Sequence, residues 1–318
     1  MAEPSVLTIG HFDGVHRGHQ AILARCRAIA EAQHARVVAL PFDPHPARTL
    51  KPGAEPPRLS SLHEKVDRLK AAGADEVHVL EPTKQTLGQP PAQFVERLVR
   101  EHNPVAIVEG ADFRFGKGRQ GDMHTLAELG RQHGFEAVTE PAIELALTDM
   151  LITPVSSTIV RWLVGRGRVR DAALCLGEPY TLTGEVATGE QRGRQIGVPT
   201  VNLDPDAYAH RLVPADGVYA GYVTLETGEW YPAGISVGVK PTFGQNQLCV
   251  EACLLDFSDD LYGTSVSFHF ARWLRDQYPY PNLDSLKAQL HRDLAHTRQW
   301  HEAGLLETPA PMHLATAT

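Results

Sequence analysis

The sequence predicts two domains of different class: an α/β domain on a parallel sheet, then a mainly antiparallel β domain closed by a helix. Three observations lead there. In the first half, short apolar runs alternate with stretches of helical periodicity, the mark of strands joined by crossover helices. From Tyr180 onward strand-like runs dominate, separated by turn residues, which suggests a barrel or a sandwich. The last long run places Leu286, Leu290 and Leu294 four residues apart, as an amphipathic helix does.

Bulk properties agree with two soluble cores. The chain has 318 residues, room for one large or two ordinary domains, and 42% of them are hydrophobic. No apolar run approaches the roughly 20 residues that span a bilayer. The start, Met1-Ala2-Glu3-Pro4, lacks the basic and apolar regions of a signal peptide. Cys26, Cys175, Cys249 and Cys253 are too few and scattered for a disulfide scaffold. The expectation is a cytoplasmic protein with no membrane association, a monomer or weak homo-oligomer. A formal net charge of −8 argues against a nucleic-acid partner. It leaves room for nucleotides, because local arginines, backbone amides or Mg²⁺ can neutralise phosphates. Arg114, Lys117 and Arg119 form one basic group, and Arg161, Arg166, Arg168 and Arg170 another.

The elements follow in order. Val6, Leu7 and Ile9 read as a buried strand, and Ile22, Leu23, Cys26, Ile29 and Ala30 recur at helical spacing. Between them lies Gly10-His11-Phe12-Asp13-Gly14-Val15-His16-Arg17-Gly18-His19. A glycine-rich turn between strand and helix lets backbone N–H groups and the helix N-terminus approach a phosphate. His16 and His19 share a helix face, so both rings could point at it. Residues 35–40 read as a second strand, ending at a loop with Pro41, Pro44 and Pro46 around His45. Prolines there exclude a regular helix or central strand. Residues 62–72 read as a helix, 76–80 as a strand, 91–101 as a helix and 105–108 as a third clean strand.

Residues 109–122 form a loop with four glycines, three cations, Phe113 and Phe115. A plain surface loop is one reading. A phosphate- and ring-binding loop fits better, since the two rings need an apolar cover. Residues 125–133 then read as a helix and 136–138 as a strand. Ser156-Ser157-Thr158 precedes an apolar helical run that carries Arg161. One hydroxyl suffices for an N-cap, while three with an arginine one turn in could also hold an anion. Both readings stay open.

The boundary falls near Gly177-Glu178-Pro179. Beyond it, 181–186, 217–225, 230–236, 247–257 and 265–270 read as strands and 283–300 as the closing helix. The tail from Thr308 is small, polar and reads as disordered. Two features suggest chemistry. Gly193-Arg194 and Gly197 lead into Pro199-Thr200-Val201-Asn202; if that run is extended, Thr200 and Asn202 share a face as oxygen ligands of the type Mg²⁺ takes. Turn-stabilising polar residues are the plain alternative. Glu251 sits in an otherwise apolar strand, which is costly unless it is paired, functional or solvent-facing.

These residues together resemble the bifunctional bacterial riboflavin kinase/FAD synthetase family along nearly the whole ordered chain. His16-x-Gly-His19 is similar to the nucleotidyltransferase signature. Asp112-Phe113-Arg114-Phe115-Gly116 and Ser156-Ser157-Thr158-x-x-Arg161 are similar to its further nucleotide motifs, and Pro199-Thr200-Val201-Asn202 to the flavokinase motif. The resemblance implies a Rossmann-like FMN adenylyltransferase domain over 1–177 and a β-barrel riboflavin kinase domain over 178–307, followed by the tail 308–318. It implies that riboflavin is phosphorylated to FMN with MgATP, and FMN then adenylylated to FAD with release of pyrophosphate. Glu251 would be the kinase base, with Thr200 and Asn202 contacting Mg²⁺ and ATP beside Gly193, Arg194 and Gly197. His16, His19 and Arg161 would serve adenylyl transfer, with Gly10, Phe12, Asp13, Gly14, Asp112, Arg114, Gly116, Ser156, Ser157 and Thr158 at the nucleotide. The chain departs from the family pattern at His11, usually asparagine, at Ser236 and Val237, at Lys240, usually arginine, and at Pro279-Tyr280. His11 leaves an alternative: an active flavokinase whose amino-terminal domain is weakened or inactive.

Overall fold

A computed structural model describes residues 3–187, 199–242 and 245–306. Two compact units divide the chain: Met1–Glu144 with Pro154–Ser157, and Leu145–Thr153 with Thr158–Thr318.

The first unit is built on five parallel strands, β1 (Ser5–Gly10), β2 (Arg36–Pro41), β3 (Glu76–Val77), β4 (Pro104–Gly110) and β5 (Glu136–Glu140), in the order β3-β2-β1-β4-β5. Alternation along β1 feeds two cores. Val6 packs with Leu23, Cys26 and Ala30 of α1 (Arg17–Gln33), and Leu7 and Ile9 face Phe94, Val95 and Leu98 of α5 (Pro91–His102) and Leu126 and Leu129 of α6 (Met123–His133). Short helices α2 (Pro46–Leu50) and α4 (Lys84–Leu87) and the longer α3 (Leu62–Ala71) complete the unit. The chain leaves β1 toward β2 on one side and returns through β4 on the other. The crevice for ligands in such sheets opens at that reversal, beyond the strands' carboxyl ends.

The expected strand 76–80 shrinks to Glu76–Val77, paired with Val38 and Ala39; Leu80 retains only an isolated bridge to Phe42, and Val79 between them is exposed.

In the second unit the antiparallel strands close into a barrel, which settles the choice against a sandwich. After the small sheet of β6 (Glu144–Ala146) and β7 (Ile152–Pro154) and helices α7 (Ser157–Val164) and α8 (Val169–Leu176) come β8 (Tyr180–Ala187), β9 (Val201–Leu203), β10 (Gly217–Leu225), β11 (Trp230–Thr242), β12 (Gln245–Leu254) and β13 (Ser265–Arg275). The order around the barrel is β10-β11-β12-β9-β8-β13. Tyr180, Leu182, Tyr219, Ile235, Val250, Phe268 and Phe270 are buried. β12 ends three residues before the expected 257, because Asp256 adopts a left-handed φ of 58°.

The terminal helix α9 (Leu283–Glu302) is present, but Leu286, Leu290 and Leu294 are only partly buried. Its buried residues are Asp293 and Thr297. Asp293 accepts three contacts of 2.8–3.1 Å from Arg275, so an ion pair reinforces the apolar docking. α8 escaped the sequence reading because it spans only Val169–Leu176, too short a window for a helical period to stand out.

Candidate active sites

The turn after β1 is held by unusual backbone. Phe12 (φ 51°), Gly14 (φ 79°) and Val15 (φ 42°) all take left-handed angles, costly for the two side-chain-bearing residues and so maintained only by surrounding structure. Asp13 supplies much of that. Its buried carboxylate accepts from the backbone N–H of Leu59 (3.0 Å) and Ser60 (3.2 Å) and from the Ser60 hydroxyl (3.3 Å), and Gly14 N–H donates to Ser60 Oγ (3.1 Å). Asp13 thus braces the turn. Its charge is directed at protein donors.

The turn delivers His16 and His19 to the start of α1. Their rings stack with centroids 3.7 Å apart and planes 20° apart, and Phe12 meets His19 edge-on at 5.0 Å. Gly18 makes the stack possible: a Cβ there would lie 3.2 Å from the His16 ring. The first turn of α1 carries no acidic residue, so its N-terminal partial positive charge is open to an anion. Burial, then the neighbouring His16, His11 and Lys65, hold His19 well below the usual histidine range, which keeps it neutral at pH 7. His19 Nδ1 is buried without a hydrogen-bond partner among the described residues.

His11 lies inside the same turn. Its Nδ1 is 3.2 Å from the Phe42 carbonyl oxygen and its ring meets His45 edge-on at 4.3 Å. Burial, then the charge of Lys65, lowers its pKa to about 3. A neutral imidazole offers one donor and one acceptor, fewer than an amide side chain, and its Nδ1–H is spent on the Phe42 carbonyl oxygen, which leaves Nε2 as an acceptor. His45 Nδ1 accepts from Ala47 N–H (3.0 Å) and so caps α2.

Sequence reasoning missed two buried groups beside this turn. Lys65 reaches Asp43 Oδ1 (3.2 Å) with its side chain almost wholly buried, and burial lowers its pKa even though Asp43 opposes the shift. Glu109, at the end of β4, accepts from Ile9 N–H and from Thr8 Oγ1 (3.2 Å), bridging β4 to β1. Its carboxyl is pushed well above the ordinary range, by burial foremost. Lys65 could have been suspected as a lone cation on the apolar side of a helix; Glu109 offers no such signal.

The loop after β4 corrects one inference. Phe115 needs no ligand to cover it: it is buried in the core near Phe94 (6.0 Å) and stacks on Phe113 (5.4 Å). Gly116 (φ 70°) is pressed against Pro91, where a Cβ would come within 2.9 Å of the backbone. Asp112 and Arg114 are exposed, and Arg114 Nη1 donates to the carbonyl of Phe113 (2.8 Å). At the start of α7, Ser157 donates to the Asp13 carbonyl (2.8 Å), tying Ser156-Ser157 to the phosphate turn. Thr158 and Arg161 continue along that helix.

The barrel gathers the second set. β9 pairs antiparallel with β12 so that Asn202 stands opposite Glu251, and Thr200 Oγ1 donates to Glu251 Oε2 (3.4 Å). All three side chains are half-buried. Cys249 Sγ donates to Asn202 Oδ1 (3.6 Å). On the other flank Ser236 of β11 stands opposite Glu251 of β12 and accepts from Gln277 Nε2 (3.0 Å), a contact from beyond β13 that spacing could not reveal. Gly193, Arg194, Gly197, the Lys240 side chain and the tail 308–318 lie outside the described residues.

Comparison with known proteins gives the arrangement a context. A family model for FAD synthetase matches residues 1–157 and one for riboflavin kinase matches 176–301. The bifunctional riboflavin kinase/FMN adenylyltransferase of Escherichia coli K12 is 33% identical over 94% of this chain and 93% of its own. That of Pseudomonas fluorescens is 35% identical over 92% of each, and that of Bacillus subtilis 31% identical over 91% and 90%. A crystal structure from Streptococcus pneumoniae, described as a macrolide-efflux protein, superposes with a TM-score of 0.83 at 29% identity, covering 94% of this chain and 95% of that one. Among the described residues no helix is long and apolar enough to cross a membrane. With both domain models in order and relatives matched end to end, the chain belongs to the bifunctional riboflavin kinase/FMN adenylyltransferase family.

Proposed function

We propose that the two residue sets divide two successive reactions between them: phosphorylation of riboflavin to FMN on the barrel, and adenylylation of FMN to FAD at the α1 turn. The observation that carries this reading is that one chain assembles both a stacked histidine pair at an uncompensated helix N-terminus and a Thr-Asn-Glu group at the mouth of adjacent strands. We assign residues 1–177 to the adenylyltransferase, 178–307 to the kinase and 308–318 to a tail.

In the kinase step Glu251 takes the proton from the riboflavin 5′-hydroxyl as that oxygen attacks the γ-phosphorus of ATP, and ADP leaves. The half-buried position of Glu251 and its hydrogen bond from Thr200 fix the carboxylate for this task. The oxygen donors Thr200 and Asn202 fit Mg²⁺, which prefers hard oxygen ligands and keeps several waters. Bound there with ATP, Mg²⁺ would neutralise phosphate charge. Thr200 and Asn202 orient the phosphates, and Cys249 and Ser236 set the position of the group around Glu251.

In the second step a phosphate oxygen of FMN attacks the α-phosphorus of ATP and pyrophosphate leaves, with no covalent enzyme intermediate. The site's task is orientation and stabilisation of developing charge. His16 and His19 donate to phosphate oxygens, backed by the α1 N-terminus, Gly10, Phe12 and Gly14. Asp13 shapes the turn. Ser156, Ser157, Thr158 and Arg161 are assigned to phosphates, and Asp112, Arg114 and Gly116 to the nucleotide. The match of both domain families in one chain, with relatives named for both activities over nearly their whole length, favours an active adenylyltransferase over the kinase-only alternative. The partners are small molecules, the protein a cytoplasmic monomer or weak homo-oligomer.

Incubation with riboflavin, MgATP and inorganic pyrophosphatase, followed by chromatography of the flavins, tests the reading. FMN should appear first and FAD after it. FMN accumulating without FAD would restore the kinase-only alternative.

A further inference from the structure

The second unit holds a cavity of about 510 Å³, in the size range of small-molecule sites, lined by none of the residues assigned above to either reaction. Its wall includes Arg166, Arg168, Arg170 and Arg272 together with Trp273 and Trp300. Four guanidinium groups around one cavity are unexpected in a chain with a net charge of −8.

Their partners are unevenly distributed. Both lining aspartates serve one arginine: Arg168 bonds Asp149 (2.9 Å) and Asp171 (2.7 Å), and Asp171 also accepts from the N–H (2.8 Å) and hydroxyl (3.1 Å) of Thr148. Arg166, Arg170 and Arg272 form no ion pair among the described residues. Arg170 Nε is buried with no hydrogen-bond partner among them. Arg272 donates Nε–H to the Leu305 carbonyl (2.7 Å), which aims its guanidinium and leaves both terminal amino groups without a protein acceptor among the described residues. Burial and then the charge of Arg170 act against the Arg272 cation, so the two like charges lie close enough to repel. Arg170 Nε is thus a buried cationic donor left unpaired, which is costly, and an anion at the neighbouring guanidinium groups removes that cost.

The walls are aromatic and fixed. Trp273 is wedged between Gly167 and Gly217, where a Cβ on either would come within 2.5 Å of the ring, and it meets Tyr219 edge-on at 5.1 Å. Gly167 takes φ 71°, a turn that a side chain would both strain and obstruct. Arg272 lies over Trp300 (5.5 Å), and the exposed Arg166 stacks over Trp162 (4.3 Å). The frame is preorganised, so binding requires little ordering.

We propose that this cavity binds a small molecule through its phosphate or diphosphate group, held by Arg170 and Arg272 with Arg166 at the mouth. Planar guanidinium forks match phosphate oxygens two at a time. None of these residues is assigned to either transfer step, so the proposal does not depend on those assignments. Occupancy by a phosphorylated substrate or product would let flux through the enzyme be sensed at a third position.

Three of the four tryptophans, Trp162, Trp273 and Trp300, line the cavity or stack on its arginines, so the full-length protein carries its own reporter. Intrinsic fluorescence is titrated with inorganic pyrophosphate and, separately, with ADP, which has the same diphosphate on a nucleoside. Wild type should give a saturable change. Arg170→Gln and Arg166→Gln, each checked for an unchanged melting temperature, should weaken it at least tenfold, while His19→Ala and Glu251→Gln should retain it. Tighter binding of ADP identifies a nucleotide as the source of the phosphate; equal affinity identifies free diphosphate. The proposal is overturned if wild type shows no saturable change with either probe, if both arginine variants bind as wild type does, or if the signal disappears with His19→Ala or Glu251→Gln.

Discussion

Gly18→Ala separates two opposing effects at one position. Gly18 is the second residue of α1 and does not have a positive φ, so by helix propensity alanine would stabilise by up to about 1 kcal/mol. The added Cβ, however, would stand 3.2 Å from His16 Cε1 and Nδ1 and 3.5 Å from the Val155 carbonyl oxygen. Ordinary contact requires the His16 ring to retreat by a few tenths of an ångström, but that ring is 6% exposed and already stacked at 3.7 Å on His19. Overpacking of this kind costs about 1–3 kcal/mol. The two terms nearly cancel or leave a loss of up to about 2 kcal/mol, too little to unfold a domain. Rate responds more sharply, since about 1 Å of misplacement at a reacting centre costs about a hundredfold. A shift of a few tenths should therefore slow FAD formation from FMN about three- to tenfold. Initial rates with FMN and MgATP, read by chromatography, give the effect, and riboflavin phosphorylation by the same sample is the internal control. FAD formation at the wild-type rate would falsify the idea that the stacked pair's placement matters; equal loss of both activities would indicate general unfolding.

Other perturbations follow from the same geometry. Thr200→Ala removes the hydrogen bond to Glu251 and one oxygen donor, so kinase kcat should fall about 10²–10³-fold with FAD formation from supplied FMN unchanged, measured as above. Because His19 is neutral in the unliganded site, a bound phosphate should raise its pKa and draw in a proton; calorimetry of ATP binding near pH 6 in buffers of different ionisation enthalpy should show uptake that His19→Ala reduces. Glu109 keeps its proton above the pH at which the unfolded chain loses it, so stability falls as pH rises above the ordinary carboxylate value, by up to about 1.4 kcal/mol per unit until the folded pKa is passed. Glu109→Gln should flatten that decline in a series of denaturant melts taken upward in pH from the ordinary carboxylate value. Asp293→Ala leaves Arg275 without its carboxylate under α9 and should cost about 2 kcal/mol in urea unfolding, less than the roughly 3–5 kcal/mol of a fully buried pair because Arg275 is partly exposed.

The fold was legible where hydrophobic periodicity was clean. β1, α1, β2, α5 and β4 alternate or repeat along their length because each faces a core on a defined side. α8 was not, since eight residues are too few for a period to stand out, and β3 ended early because the expected run 76–80 pairs over only two residues. At the sites, motif residues near one another in sequence were legible: the His16–His19 stack and the Thr200–Asn202 pair follow from local spacing. What completes them is distant. Leu59 and Ser60 reach Asp13 from 46 and 47 residues away, and Gln277 reaches Ser236 from 41. Such contacts exist only once the sheet or the barrel has closed. The Phe113–Phe115 pair misled for a related reason: a ring's need for apolar cover can be met by a core as readily as by a ligand.

The central claim is that the two reactions use separate sites, and Glu251→Gln tests it most directly. The variant is supplied with MgATP and either riboflavin or FMN, and the flavins are separated. Loss of FMN formation from riboflavin, with FAD formed from FMN at the wild-type rate, is the expected result. Persistent phosphorylation of riboflavin, or loss of FAD formation from FMN in a protein with an unchanged melting temperature, would contradict it.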